Sequence, residues 1–292
     1  MTNRREFIQM AGAGLLATTM PGALKFPFAG EKHRVAVQLY TIREAIAKDF
    51  KGSLKRLADL GFKNVETAFW PKNISAETAA DTLKDLGLSV TSCHVDKPTR
   101  DNIDVLVKTA GAYNCKNLIW HGWPEDKRYS SLEGTKELVN IYKESNRLAK
   151  DNGLNFGLHN HWWEYRNHVG GKLVYEVLNE ELDDDIFFET DVYWVKVAGQ
   201  DPAAILKKLK NRVRFIHIKD GPAVFNDKLI KDEPDPMTPV GQGTLDIPAI
   251  VNACSDKVKF MIIELDRSAI DPYDALKQSR EYLSKFKSVS LT

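Results

Sequence analysis

The sequence predicts a (β/α)₈ barrel: one parallel sheet closed on itself, with helices outside. Three observations lead there. A phrase of helix, glycine stop and apolar strand returns three times, over Leu57–Glu66, Leu83–Thr91 and Leu148–Phe156, with the stops at Gly61, Gly87 and Gly153. A helix closed by glycine and followed at once by a strand is the αβ half of a βαβ unit, which favours parallel pairing. Roughly 260 residues remain once the first stretch is set aside, the usual size of one such barrel. An open doubly wound sheet would normally carry a glycine-rich phosphate loop after an early strand, and Gln38–Arg43 contains no glycine.

Taken in order, the first strand is Val35–Tyr40 and the second leads to Glu66. The others are Ser89–His94, Asn117–His121, Asn155–His161, Asp185–Asp191, Val213–Lys219 and Lys259–Leu265. Helical spacing of apolar residues places helices over Phe50–Leu60, Ser75–Leu86 (Ser75 as N-cap), Asn102–Ala112 and Leu132–Asn152. Four more follow over Lys172–Asn179, Asp201–Leu209, Ile247–Ser255 and Pro272–Phe286. A long connection, Gly221 to Gly243, follows the seventh strand and contains four prolines; its length suits a lid over the site.

Residues 1–30 read as an address and residues 31–292 as the barrel. Arg4 and Arg5, followed by Phe7 and Ile8, precede an apolar run from Met10 to Met20 that is too short for a permanent membrane anchor. The pattern resembles a twin-arginine export signal, with a general secretory leader as the alternative. The expectation is an exported, periplasmic protein with no membrane association afterwards. The three cysteines, Cys93, Cys115 and Cys254, are too scattered for a disulfide framework and read as small buried residues. A net charge of +1 gives no electrostatic pull toward nucleic acid or anionic lipid.

The chemistry collects at the strand ends. Phe156–Tyr165 begins apolar and ends polar; at a period of two it puts Gly157, His159 and His161 on one face. A lone histidine there would as readily be a hydrogen-bonded structural residue. Other strands end in the same way, at Glu66, His94, His121, Glu189-Thr-Asp191, His217-Ile-Lys219 and Glu264-Leu-Asp266. Acids, imidazoles and a lysine at the ends of parallel neighbours converge on one site. Mixed carboxylate and imidazole donors suit a divalent ion such as Mn²⁺ or Zn²⁺.

Several local motifs carry a family resemblance: Gln38–Arg43, His159–Glu164, Asp191-Val-Tyr-Trp194, Ala198–Pro202, His217–Asp220, Gly241-x-Gly243 through Asp246, and Ile263-Glu264. From about His33 to Phe286 the chain resembles the xylose isomerase-like barrels of the sugar phosphate isomerase/epimerase family. That resemblance implies a divalent cofactor, Mn²⁺ foremost with Zn²⁺ or Co²⁺ as alternatives. Asp191, His217 and Glu264 fall on three ligand positions, and His159 is the expected fourth. The chain departs from the family twice. His159 stands where the epimerases place a glutamate that is both ligand and second base, and Trp194 stands where Asp-x-x-His would put a histidine. Glu164 could replace the missing glutamate only if its loop folds back.

The resulting expectation is proton removal next to a metal-bound carbonyl of an unphosphorylated sugar or keto-sugar, giving an isomerase or epimerase. Glu264 is the expected base; His161, Lys219 and His94 are the expected acids or oxygen-orienting groups. Glu66, His121, Trp123, Trp162, Glu164 and Trp194 are the expected substrate contacts, the tryptophans by stacking on sugar faces. The alternative on the same site is a hydratase or lyase, toward which the missing glutamate points. A non-catalytic carbohydrate-binding barrel is the alternative of another class. A metal-dependent endonuclease would need a basic groove, and the charge balance disfavours it.

Overall fold

A computed structural model describes residues 32–226, 228–229 and 234–292. The leader expected over residues 1–30 lies outside them. Eight parallel strands form the barrel: β1 (His33–Gln38), β2 (Asn64–Thr67), β3 (Ser89–Val95), β4 (Asn117–Trp120), β5 (Asn155–His159), β6 (Phe187–Asp191), β7 (Val213–Ile218) and β8 (Phe260–Ile263). Each pairs with the next, and β8 pairs with β1 through Arg34↔Phe260 to Val37↔Ile263, so no edge remains open. Around it stand α1 (Phe50–Asp59), α2 (Ala76–Asp85), α3 (Ile103–Ala112), α4 (Leu132–Asp151), α5 (Val174–Glu181), α6 (Pro202–Leu209), α7 (Ile247–Ala253) and α8 (Pro272–Leu283).

Local chemistry explains the boundaries. Ser75, Ser131, Asp201 and Asp271 each accept a first-turn backbone N–H, satisfying donors that the helix leaves unpaired. Gly61, Gly87 and Gly153 close their helices at φ +86°, +68° and +72°, where a Cβ would be strained. Two elements differ from expectation. The fifth strand stops at His159 because Asn160 turns its side chain to accept Asp191 N–H at 2.9 Å, so His161 leaves the sheet. The helix expected from Lys172 begins at Val174, since Lys172 and Leu173 pair with His168 and Val169 in a two-stranded hairpin. Three short helices, Arg43–Lys48, Trp163–Arg166 and Val192–Val197, lie in segments read as connections.

Inside the barrel, period two sorts apolar from polar. Ala36, Ile119, Phe187, Phe215, Phe260 and Ile262 form a core separate from the one under the helices, and they plug the lower lumen. Gly157 is needed here, because a Cβ would collide with the Phe187 ring. Two residues further along the same faces come Glu189, His217 and Glu264, so the strands that pack phenylalanines below present ionisable groups above. The long connection is anchored rather than loose at its ends. Asp220 accepts Gly221 N–H at 2.8 Å, Gly241 N–H at 2.9 Å and Leu245 N–H at 3.1 Å, and a Cβ on Gly243 would strike its Oδ1. Asp220 and the Gly241-x-Gly243 motif are therefore parts of one loop anchor.

Candidate active site

A cavity of about 480 Å³ opens at the C-terminal end of the barrel. His94, His159, His161, Glu264 and Asp266 form its polar floor, and Trp123, Trp162 and Trp194 line one wall. His121 also lines it, and Leu229 and Pro234 of the long connection reach its mouth. Glu66, Glu189, Asp191, His217 and Lys219 lie directly beneath, each at most 1% exposed.

Two groups of donors meet there. In the upper one, one ligand atom from each of Asp191, His217 and Glu264 lies within 4.8 Å of the others. Asp191 has divided duties. Its Oδ1 caps the helix Val192–Val197 by accepting Tyr193 N–H at 2.9 Å and Trp194 N–H at 3.1 Å, while its buried Oδ2 is turned to the Lys219 ammonium. His217 Nδ1 lies 2.6 Å from Glu264 Oε2. His159 Nε2 is 3.9 Å from Asp191 Oδ2. Lys219 also faces this group, with Nζ 2.9 Å from Asp191 Oδ2, 2.8 Å from Glu264 Oε2 and 2.7 Å from Asp266 Oδ2. Two carboxylates and an imidazole whose ligand atoms converge this closely are a donor set that suits a divalent cation, and Lys219 supplies the positive charge beside them.

The lower group centres on Glu189. Its Oε2 lies 2.6 Å from His94 Nε2, 3.1 Å from His217 Nε2 and 3.2 Å from His159 Nδ1. His159 and His217 thus turn one ring nitrogen to Glu189 and the other toward Asp191. That is the arrangement in which a carboxylate sets the tautomer of metal-binding imidazoles. Glu66 completes the layer, with Oε1 accepting from Gln38 Nε2 at 2.8 Å and lying 2.7 Å from His217 Nε2, and Oε2 accepting from Ser92 Oγ.

These contacts set the charges. Burial raises Glu66 to about 7, with Glu189 adding to it. Burial would also raise Glu264, but Lys219 and His217 outweigh it and hold the group well below the carboxylate range, hence ionised. Burial lifts Asp191 to about 6 against Lys219 and His217. Burial favours the neutral forms of Lys219 and His217 too; the surrounding carboxylates outweigh it and raise both, so Lys219 stays cationic, while His217 would have to release its extra proton to hold an ion. On the other side of the floor, burial lowers His159 to about 3 and His161 well below its usual value, so both imidazoles are neutral.

Most of the residues expected from the sequence meet here, with Asp191, His217 and Lys219 just under the cavity floor, but Glu66 and Glu164 do not serve as the expected substrate contacts. Glu66 lies below the floor, where it contacts protein groups. Glu164 turns away and accepts His161 N–H at 3.0 Å, buried beside Tyr129 and Tyr142, so it neither replaces the missing glutamate nor reaches the cavity. Trp163 is buried and stacks on His161 at 4.5 Å, which fixes that ring. Glu189 and Asp266 were visible as strand-end acids but had no assigned role; the signal was the Glu-x-Asp spacing that puts both acids of each pair on the lumen face.

Glu164 gives a pH-dependent stability. Burial raises it to about 8, so between 4.5 and about 8 the folded chain holds a proton that the unfolded chain releases. Stability is then lost as pH rises through that window, by an amount on the order of a few kcal/mol. Glu164→Gln keeps the acceptor for His161 N–H and removes the titration. The variant should match the parent near pH 4 and unfold several degrees higher at pH 8; parallel melting curves at both pH values would refute the assignment.

Comparison with known proteins agrees with this architecture. Residues 54–286 match the family described as xylose isomerase-like TIM barrel. An inosose dehydratase of Clostridium beijerinckii is 22% identical over 249 residues, covering 80% of each chain. The crystal structure of a sugar phosphate isomerase/epimerase from Parabacteroides distasonis superposes with a TM-score of 0.72 at 21% identity, over 88% of this chain and 100% of that one. The IOLI protein with a bound zinc atom superposes at 0.63 with 15% identity, over 85% and 95%. With the closed barrel and the family match together, this chain belongs to the xylose isomerase-like TIM barrel family.

Proposed function

We propose that the cavity is the active site of a metal-dependent lyase of the dehydratase type, acting on an unphosphorylated sugar or keto-sugar. One observation carries this reading: the acids and bases of the floor are segregated. Asp191, Glu264 and Asp266 come from the β6 and β8 side and gather on Lys219, whereas the β5 side offers the neutral imidazoles His159 and His161. Epimerisation by two opposed bases needs a strong acceptor on both faces. Elimination needs one base and, opposite it, a donor for the departing oxygen. The inosose dehydratase relative supports the same choice.

A divalent ion held by Asp191, His217, Glu264 and His159 would polarise the substrate carbonyl and acidify the neighbouring C–H. Glu264 takes that proton; the C–H electron pair becomes the new C=C bond as the β C–O bond breaks. His161 donates a hydrogen bond to the departing oxygen, which leaves as hydroxide; a proton from solvent neutralises it and Glu264 returns its own proton to solvent, so the net loss is one water. Lys219 supplies a fixed positive charge beside the developing oxyanion. Glu189 holds the His159 and His217 rings in the tautomers that leave their other nitrogens free. Trp162 and Trp194 pack against the sugar ring, and export by the leader expected over residues 1–30 would suit a substrate without phosphate, since sugar phosphates are chiefly cytoplasmic.

The test is incubation of the metal-loaded protein with a panel of sugars and keto-sugars in D₂O, followed by mass spectrometry. A product lighter by the leaving group is expected. A product of unchanged skeleton carrying solvent deuterium would replace this reading with isomerase/epimerase. Absence of both would leave a carbohydrate-binding barrel.

A further inference from the structure

Among the described residues three aromatic side chains are exposed, Tyr40 at 37%, Phe69 at 59% and Trp123 at 38%, and all three line the mouth of this cavity. They come from different places in the chain, following β1, β2 and β4. They are also held. The Arg43 guanidinium lies 4.0 Å over the Tyr40 ring while donating to Tyr40 O at 3.0 Å and Asp266 O at 3.1 Å. Phe69 packs edge-on against His121 at 5.3 Å, and Trp123 rests 5.6 Å from Trp163. Single exposed apolar residues need no explanation, but rigid rings collected at one opening mark a binding surface.

The occupant follows from the gradient along the cavity. Its floor is built for hydroxyls and a carbonyl, and its mouth for a flat, weakly polar ring. At about 480 Å³ the cavity is of the size that takes a ligand larger than a single sugar ring. We propose that Tyr40, Phe69 and Trp123 form a second subsite that takes the outer ring of a glycoside, either another sugar or an aromatic group, while the first sugar lies on the floor. The inference rests on the reading of the floor as a sugar site. It adds that the substrate is a glycoside rather than a free monosaccharide. Stacking on such rings contributes enough for roughly tenfold in affinity.

The test is binding to the metal-loaded protein by calorimetry, with matched methyl and phenyl β-glycosides of glucose, galactose and xylose. Phenyl glycosides should bind about tenfold more tightly than their methyl partners. Phe69→Ala should shrink that gap several-fold while leaving methyl-glycoside affinity and metal content unchanged. Equal binding of the two series overturns the subsite and leaves the sugar floor intact. A gap that persists in Phe69→Ala overturns it as well, as does a preference for glucose 6-phosphate that is lost on Arg267→Ala, since Arg267 also lines this cavity and could hold a phosphate. If no sugar binds at all, the reading of the floor falls and the subsite with it.

Discussion

Glu264→Gln is expected to lower turnover by about 10²–10⁴-fold, the range for loss of a general base. The amide keeps the shape and one acceptor oxygen, so the fold is not disturbed, but it cannot take a proton. The environment makes the charge matter. Glu264 Oε2 is 2.8 Å from Lys219 Nζ and 2.6 Å from His217 Nδ1, and these neighbours, the Lys219 ammonium foremost, hold the carboxylate ionised despite burial. A carboxylate so stabilised is a mild base and can deprotonate only a C–H already acidified by an adjacent carbonyl. The loss should therefore appear in kcat under saturating substrate and metal, with α-proton exchange into D₂O falling in step. A variant that keeps full exchange would move the base elsewhere, with Asp266 next in line because it shares Lys219.

The barrel was legible because it repeats. Helix, glycine and strand recur with turn chemistry that local sequence dictates, and each strand shows polar residues where its apolar run stops. The short helices Trp163–Arg166 and Val192–Val197 were not legible. They span a turn or two, too little for a 3.6-residue period to emerge from aromatic runs. The acids at Glu189 and Asp266 were visible as strand-end residues; their partners were not, since a strand pattern gives the face of a side chain but not its register against neighbours. Pairing of His159 with Glu189 and of Asp191 with His217 across adjacent strands is what gathers the site. Glu164 shows the converse. Its spacing from His161 allowed either a fold-back into the cavity or a local bond, and the local bond to the His161 amide won. Tyr40 and Phe69 gave no signal beyond being aromatic near a strand end, because exposure is a property of the assembled mouth.

Metal binding is the second large effect, and Asp191 is where it can be separated from folding. Asp191→Ala should reduce bound metal from near one ion per chain to a small fraction of that. Alanine would also uncap the helix Val192–Val197, at about 1 kcal/mol for a lost N-cap, so the alanine variant alone could mislead. Asp191→Asn resolves this. Its Oδ1 still accepts the Tyr193 and Trp194 amides, as Asp191 Oδ1 does now, while the Oδ2 that faces Lys219 and His217 is replaced by an uncharged amide nitrogen, Lys219 keeping Glu264 and Asp266 as partners. Loss of even an outer-shell partner typically costs roughly 10–100-fold in metal affinity, and removal of a charged ligand atom should cost at least as much. Elemental analysis after purification without chelator, with competition titration against a chromogenic chelator, measures the change. Near-normal melting of Asp191→Asn together with lost metal is the expected pair of results. Full metal content in Asp191→Asn would place the ion away from this carboxylate, in the lower group around Glu189, where His94, His159 and His217 supply the alternative donors.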